Sequence, residues 1–346
     1  MGFFRRKKRS PADGPTATGP TVDAVPNESP VDAFESLIDR EWDRLGSTGT
    51  WWTSGERISI AADARRAAAG EELSGDLPAP VEEATRRLSV EPATIRGTDV
   101  ARWEMEGLDS FAYIELVGIV SRLMALDTAS FGLDLKPRHL PEPRDGEPTR
   151  VRAEGAAITT GWTPTVGPAG APSSLSAVPA EAEAMFDAHG VLYLSTDDMF
   201  EMQITREGLT RPQMELAAAR TSVLNDCFYL LLAHASMLRA SINTYDRELT
   251  PKPIVAGLGD TGVEHGAEIM AFVDSVVLRD EYEFDLARAA LEACIGAAAT
   301  DRVAMVAGNF SMMNRALDAV GAPVLRGLDD LAAEMGLTIP AHLAAR

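Results

Sequence analysis

Cysteine is scarce in this chain: Cys227 and Cys294 are the only two in 346 residues. Two cysteines do not make a disulfide framework, and a reducing, cytoplasmic setting is the simpler reading. Long apolar runs are missing too. Nothing approaches the roughly 18 residues that a membrane-spanning helix needs. The basic opening FFRRKKRS leads into Pro, Gly and Thr, not into the apolar stretch of a secretory leader. Gly2 follows Met1, but Arg6 stands where a myristoylation signal has Ser or Thr. Positive charge is in deficit. The net charge is −20, and Arg5, Arg6, Lys7, Lys8 and Arg9 carry cations outside the body, which is more acidic still. Such a surface repels phosphate backbones and argues against a nucleic-acid partner.

Residues 1–28 are rich in Pro, Gly, Thr and charge and read as a disordered tail. The basic cluster beside Phe3 and Phe4 has the makings of an anionic-lipid contact. A solvated tail is the simpler account, and no membrane contact is expected.

What is present is helical, with 45% hydrophobic residues to build a core. Ser29-Pro30 reads as an N-cap followed by proline at the first helical position, ahead of VDAFESLIDREWDRL. Thr53 and Glu56 form a capping-box pattern ahead of RISIAADARRAAA. Ala112 to Leu126 is apolar nearly all round and predicts a buried helix. Residues 135–175 are rich in proline and glycine and predict a crossing between two helical halves, 29–134 and 176–346. Strand signals are limited to short runs such as AAITTGW, so the expected fold class is all-α. Glu115 and Glu215, each at the start of a buried helix, suggest a weak internal duplication. Asp127 and Cys227 lie twelve residues after them, and the first copy lacks Cys and His.

The stretch VLNDCFYLLLAHASMLRA, from Val223, carries the candidate chemistry. Thr210 and Gln213 spell a capping box, so a helix should begin there. Asn225-Asp226 should end it, since both side chains favour turns and caps over helix interiors. In one straight helix Glu215 and Cys227 would be about 18 Å apart. A bend at Asn225 would bring Glu215 beside a second helix and put Cys227 at that helix's N-terminus, where the dipole favours a thiolate. Cys227 and His234, seven apart, share a face but lie about 10.5 Å apart along the axis. The position that would touch both is 230, and it holds leucine.

Glu215, Ser222, Asn225, Cys227, Tyr229 and His234 together resemble the motif of the carboxymuconolactone decarboxylase-like superfamily, in its alkylhydroperoxidase D branch. The family pattern has a second cysteine where this chain has Leu230. The resemblance is carried by about forty residues from Thr210, and the segments GNFSMMNRALDAVG and TWWTSGERISIAADARRA are similar to parts of longer, two-half members. It implies packed helical units, a homo-oligomer and no metal or organic cofactor. In the redox branch it implies a cysteine pair in which the second cysteine attacks peroxide, with Glu and His relaying protons. Three expectations stay open. Cys227 could be a single-cysteine centre for peroxide reduction that needs an external thiol reductant. Glu215 and His234 could do acid–base chemistry of the decarboxylase or lactone type on a small molecule. The chain could also be a non-catalytic oligomeric member.

Other features weigh less. Gly257 to Gly262 spells GxGxxG, but without a strand before it the reading is an interhelical loop. His139, His189, His265 and His342 lack metal-ligand spacing. Cys294, among small residues, reads as core. Trp51-Trp52 reads as a packing anchor, and Met199, Met202, Met305, Met312 and Met313 as core fillers.

Overall fold

A computed structural model describes residues 29–344. The tail expected over 1–28 lies outside the described residues. The fold class is all-α, as the patterning predicts. Among the described residues, thirteen α-helices are joined by turns, and the one sheet is an antiparallel ribbon of two two-residue strands, β1 (Thr205–Arg206) and β2 (Leu209–Thr210).

Among the described residues, five helices precede the proline- and glycine-rich stretch: α1 (Pro30–Gly46), α2 (Ser54–Ala68), α3 (Ala79–Val90), α4 (Gly97–Met105) and α5 (Ser110–Gly132). The first two start where the Ser29 cap and the Thr53 capping box place them, and in the structure both caps are capping boxes. Ser29 Oγ accepts from the Asp32 amide while Asp32 takes the Ser29 amide, and Thr53 and Glu56 repeat the arrangement. After the crossing come α6 (Pro179–Leu192), α7 (Arg211–Leu224), α8 (Phe228–Asn243), α9 (Lys252–Ala256), α10 (Gly266–Leu278), α11 (Glu281–Ile295), α12 (Ala297–Val320) and α13 (Asp329–Glu334).

The core is built on α5 and α12, both buried on almost every face. Small residues let these two backbones approach closely. A Cβ on Gly308 of α12 would sit 2.7 Å from the Ala125 carbonyl oxygen and 2.8 Å from the Ala129 Cβ of α5. One apolar cluster runs from Phe34 in α1 through both helices to Leu343.

The crossing is tied down on both sides. The Arg144 amide donates to Gly46 O, the Arg150 amide to Thr50 O and the Trp162 amide to Val320 O. Trp162 Nε1 donates to Ala319 O at 2.6 Å. AAITTGW contributes only an isolated bridge, Ala157 to Thr165. No helix among the described residues is long and apolar enough to cross a membrane.

The two Glu-bearing segments differ in backbone and surroundings. α5 runs unbroken through Asp127, whose carboxylate is held by both Nε and Nη2 of Arg65. Glu115 accepts from Arg57 and from the Trp51 amide. It belongs to a buried ion network with Glu41, Arg122 and Glu181. Burial, with Glu181 nearby, pushes the Glu115 carboxyl up to about 7.

Candidate functional site

α7 opens on the expected capping box, with the Thr210 amide donating to Gln213 Oε1 at 3.0 Å. It stops at the expected place. The Asn225 amide and side chain both donate to Thr221 O, Asp226 turns left-handed at φ 56°, and the Cys227 amide closes onto Ser222 O. α8 starts one residue later with Cys227 as its N-cap. The bend in the chain folds α8 back against α7. Nine residues back from the end of α7 and six residues into α8, Glu215 and His234 meet.

Glu215 is fully buried and accepts three donors. Oε1 takes Arg211 Nε at 2.5 Å and the Tyr193 hydroxyl, and Oε2 lies 2.7 Å from His234 Nδ1. Burial alone would push this carboxyl up. His234, Arg211 and Tyr193 outweigh it and hold the group below its ordinary value. An ionised carboxylate only accepts hydrogen bonds, so His234 Nδ1 must donate. The nitrogen left over, Nε2, is a lone pair when the ring is neutral and an N–H when it is charged. Arg211 also donates to the carbonyls of Asp198, Met199 and Glu201, so one guanidinium holds both the carboxylate and the loop before β1.

His234 lines an apolar cavity of about 420 Å³ between α6, α8, α12 and that loop. The walls include Phe186, Met199, Phe200, Met237, Phe310 and Met313. Leu230, the residue between Cys227 and His234 on their shared face, is part of the wall. So is Tyr229, whose hydroxyl accepts the Ala171 amide at 3.4 Å. A second imidazole, His189 of α6, shares the cavity, its Nδ1 3.1 Å from Asn309 Oδ1. Burial, with His234 nearby, lowers His189 to about 4, so the ring is neutral at pH 7. Tyr193 joins the two histidines, its ring 5.4 Å from His189 and 6.0 Å from His234, centroid to centroid. No lining residue carries a fixed charge.

Cys227 sits at the bend, away from this chamber. Its thiol is fully buried, lies close enough to Asp318 of α12 to feel its charge, and is not part of the cavity wall. Burial, and then Asp318, push the thiol well above its ordinary value. The helix N-terminus is where the sequence places it, but the surroundings disfavour the thiolate that such a position can stabilise. Burial also raises Asp318 to about 8. Ser222 donates to Ala218 O and to Asn314 Oδ1, tying α7 to α12, and Asn225 closes the end of α7. These two shape the bend and do not line the cavity.

Cys294, expected in the core, is exposed on α11. Its neighbours Ala293 and Ala290 are exposed too, because the buried face of α11 is narrow. Gly257 to Gly262 follows the short helix α9, not a strand, and Gly257, Gly259 and Gly262 all take positive φ in an interhelical loop. Trp51 stacks on Phe111 at 5.5 Å. Met305 and Met312 are core residues, while Met199 and Met313 line the cavity. Among the described residues no group of three or more His, Cys, Asp or Glu side chains is placed to hold a metal ion.

Tyr193, Arg211, His189 and Asn309 have no part in the sequence motif. Arg211 stands four residues before Glu215 on α7, the spacing of a helical ion pair. His189 and Tyr193 are themselves four apart, so a shared face was readable, but not what the face met. Comparison with known proteins gives no counterpart: no family model, curated protein or solved structure matches this chain.

Proposed function

We propose that this chain is a divergent, two-half protein of the carboxymuconolactone decarboxylase-like type, acting as a cofactor-free acid–base catalyst on a small, uncharged, apolar carbonyl compound or lactone. One observation carries the reading: a buried, ionised Glu215 holds His234 by Nδ1, leaving Nε2 at the wall of an apolar cavity. In this reading neutral His234 accepts a proton from the carbon beside a carbonyl. The C–H electron pair moves into the carbonyl as an enolate, and Glu215 stabilises the imidazolium formed. In a β,γ-unsaturated substrate the enolate is a dienolate, and return of the proton to its γ-carbon completes an isomerisation to the conjugated carbonyl compound. A base so placed contributes about 10²- to 10⁴-fold. Arg211 and Tyr193 act as positioning residues on Glu215.

The thiol reading has less support. Cys227 is buried outside the cavity and raised in pKa, and position 230, four residues before His234 on the cavity wall, holds leucine. The six motif positions support the family assignment and, with it, a homo-oligomer. The test is hydrogen–deuterium exchange at carbon in D₂O, followed by proton NMR with a panel of neutral cyclic ketones and lactones. Exchange should vanish in His234→Ala and persist in Cys227→Ala. Exchange that survives the first substitution, or is lost with the second while the fold holds, overturns the assignment.

A further inference from the structure

The acid–base reading accounts for one imidazole of the cavity and leaves the other without a task. His189 is 7% exposed, among side chains that are otherwise almost all apolar. Polar groups are costly in such a wall unless they are paired. One of its nitrogens is paired, Nδ1 with Asn309 Oδ1. An amide oxygen accepts only, so Nδ1 carries the ring proton and Nε2 is a lone pair. Among the described residues no side chain or backbone group bonds that Nε2, and the ring lines the cavity. The lowered proton affinity of His189 keeps the lone pair free at neutral pH.

Two further facts narrow what could meet it. The lining contains no Lys or Arg to neutralise an anion and no Asp or Glu to neutralise a cation. The volume, about 420 Å³, is within the range of small-molecule sites. A ligand that suits this wall is therefore uncharged and apolar over most of its surface, with one donor for the lone pair.

We propose that His189 is a ligand-binding residue, and that the cavity selects uncharged apolar compounds bearing a hydroxyl whose O–H donates to His189 Nε2. This deepens the acid–base reading and rests on it for the chemistry at His234. In a bound substrate the hydroxyl would anchor one end at His189 on α6, and the reacting carbon would face His234 on α8. The inference sets carboxylate-bearing substrates aside, because a carboxylate would enter this cavity without a cation.

The experiment uses the full chain and three probes of similar shape: 2-naphthol, naphthalene and 2-naphthoate. Binding is read at pH 7 by titration calorimetry or ligand fluorescence. The expected order is 2-naphthol over naphthalene by about five-fold, the scale of one net hydrogen bond, with no binding of the anion. His189→Phe should abolish or reverse the preference for naphthol while naphthalene still binds. His234→Phe should leave the preference in place. Nitrogen-15 NMR of the wild-type imidazoles gives a second reading that needs no variant. His189 should be the Nδ1–H tautomer, and its Nε2 signal should shift when 2-naphthol is added and not with naphthalene. Equal binding of naphthoate and naphthol, a preference that follows His234, or an unmoved His189 Nε2 signal would each overturn the assignment. None of these readouts needs turnover. Loss of carbon exchange with naphthol selection intact would sink the catalytic reading and leave this one standing.

Discussion

Replacing Glu215 by glutamine tests the centre of the site at the scale of a single proton. Both Arg211 and Tyr193 donate to Oε1, so the glutamine carbonyl must take that side. Its NH₂ then faces His234 Nδ1, where Oε2 stood 2.7 Å away. An NH₂ donates, so Nδ1 must become the acceptor and the ring proton must move to Nε2. The cavity would then face an N–H in place of a lone pair, and the base is lost with the fold kept. A comparable tautomer inversion in a serine-protease triad costs about 10⁴ in rate. Stability falls as well, because Arg211 is fully buried and loses its countercharge. Breaking a buried pair costs about 3–5 kcal/mol, or roughly 4–7 °C in Tm for a chain of this size. The deficit depends on pH in a defined direction. The Glu215 carboxyl lies below its ordinary value in the folded state. Its contribution is therefore present above the unfolded value and is lost as pH falls through the folded one. Melting curves between pH 3 and 8 should show the wild-type advantage closing in acid. Imidazole nitrogen-15 shifts should show Nε2 of His234 turning from lone pair to N–H. A pH-independent gap, or an unchanged tautomer, would refute the account of the site.

The remaining predictions concern the bend, the core and a second buried acid. Iodoacetamide should label exposed Cys294 in the native protein and leave Cys227 unmodified; Leu230→Cys should add a second labelled thiol, because position 230 lines the cavity. Fast labelling of native Cys227 would contradict its burial. Gly308→Ala should destabilise the fold by about 1–3 kcal/mol despite alanine's better helix propensity, since the new methyl meets the α5 backbone; denaturant unfolding measures it. Asp318, raised to about 8 by burial, is neutral in the fold at low pH. Stability should therefore decline as pH rises from about 4, its unfolded value, through 8. Asp318→Asn should flatten that part of the stability profile, and an unchanged slope would locate the effect elsewhere.

Much of the local structure was legible because it depends on neighbouring residues alone. Ser29, Thr53 and Thr210 cap helices that begin where the N-cap at Ser29 and the boxes at the other two spell them. Asn225-Asp226 ends α7 because the Asn225 side chain and a left-handed backbone at Asp226 satisfy the turn locally. Cys294 misled for the opposite reason. Alanine, glycine and cysteine suit a core and a surface equally, so the burial of α11 was not written in its composition. The two-half arrangement was suggested by Glu115 and Glu215, but α5 runs straight through the point at which its counterpart breaks. The long crossing was visible as a run of proline and glycine. Its attachment to Gly46, Thr50 and Val320 was not, because main-chain partners leave no trace in side-chain identity.

By itself the amino-acid order determined an acidic, helical chain with a bend after Leu224, an acid ahead of it and a thiol and an imidazole behind it. Those features follow from charge, periodicity and capping, each settled within a few residues. Tertiary packing alone decided which of the three groups work together. Folding α8 back on α7 pairs residues at similar distances from the bend, so Glu215 reaches His234, while Cys227 at the corner is left to Asp318. Packing also brought in Tyr193, His189 and Asn309, from helices far along the chain, and made one apolar chamber around two imidazoles. Burial and pairing set the proton affinities there, and neither can be computed until the neighbours across the core are known.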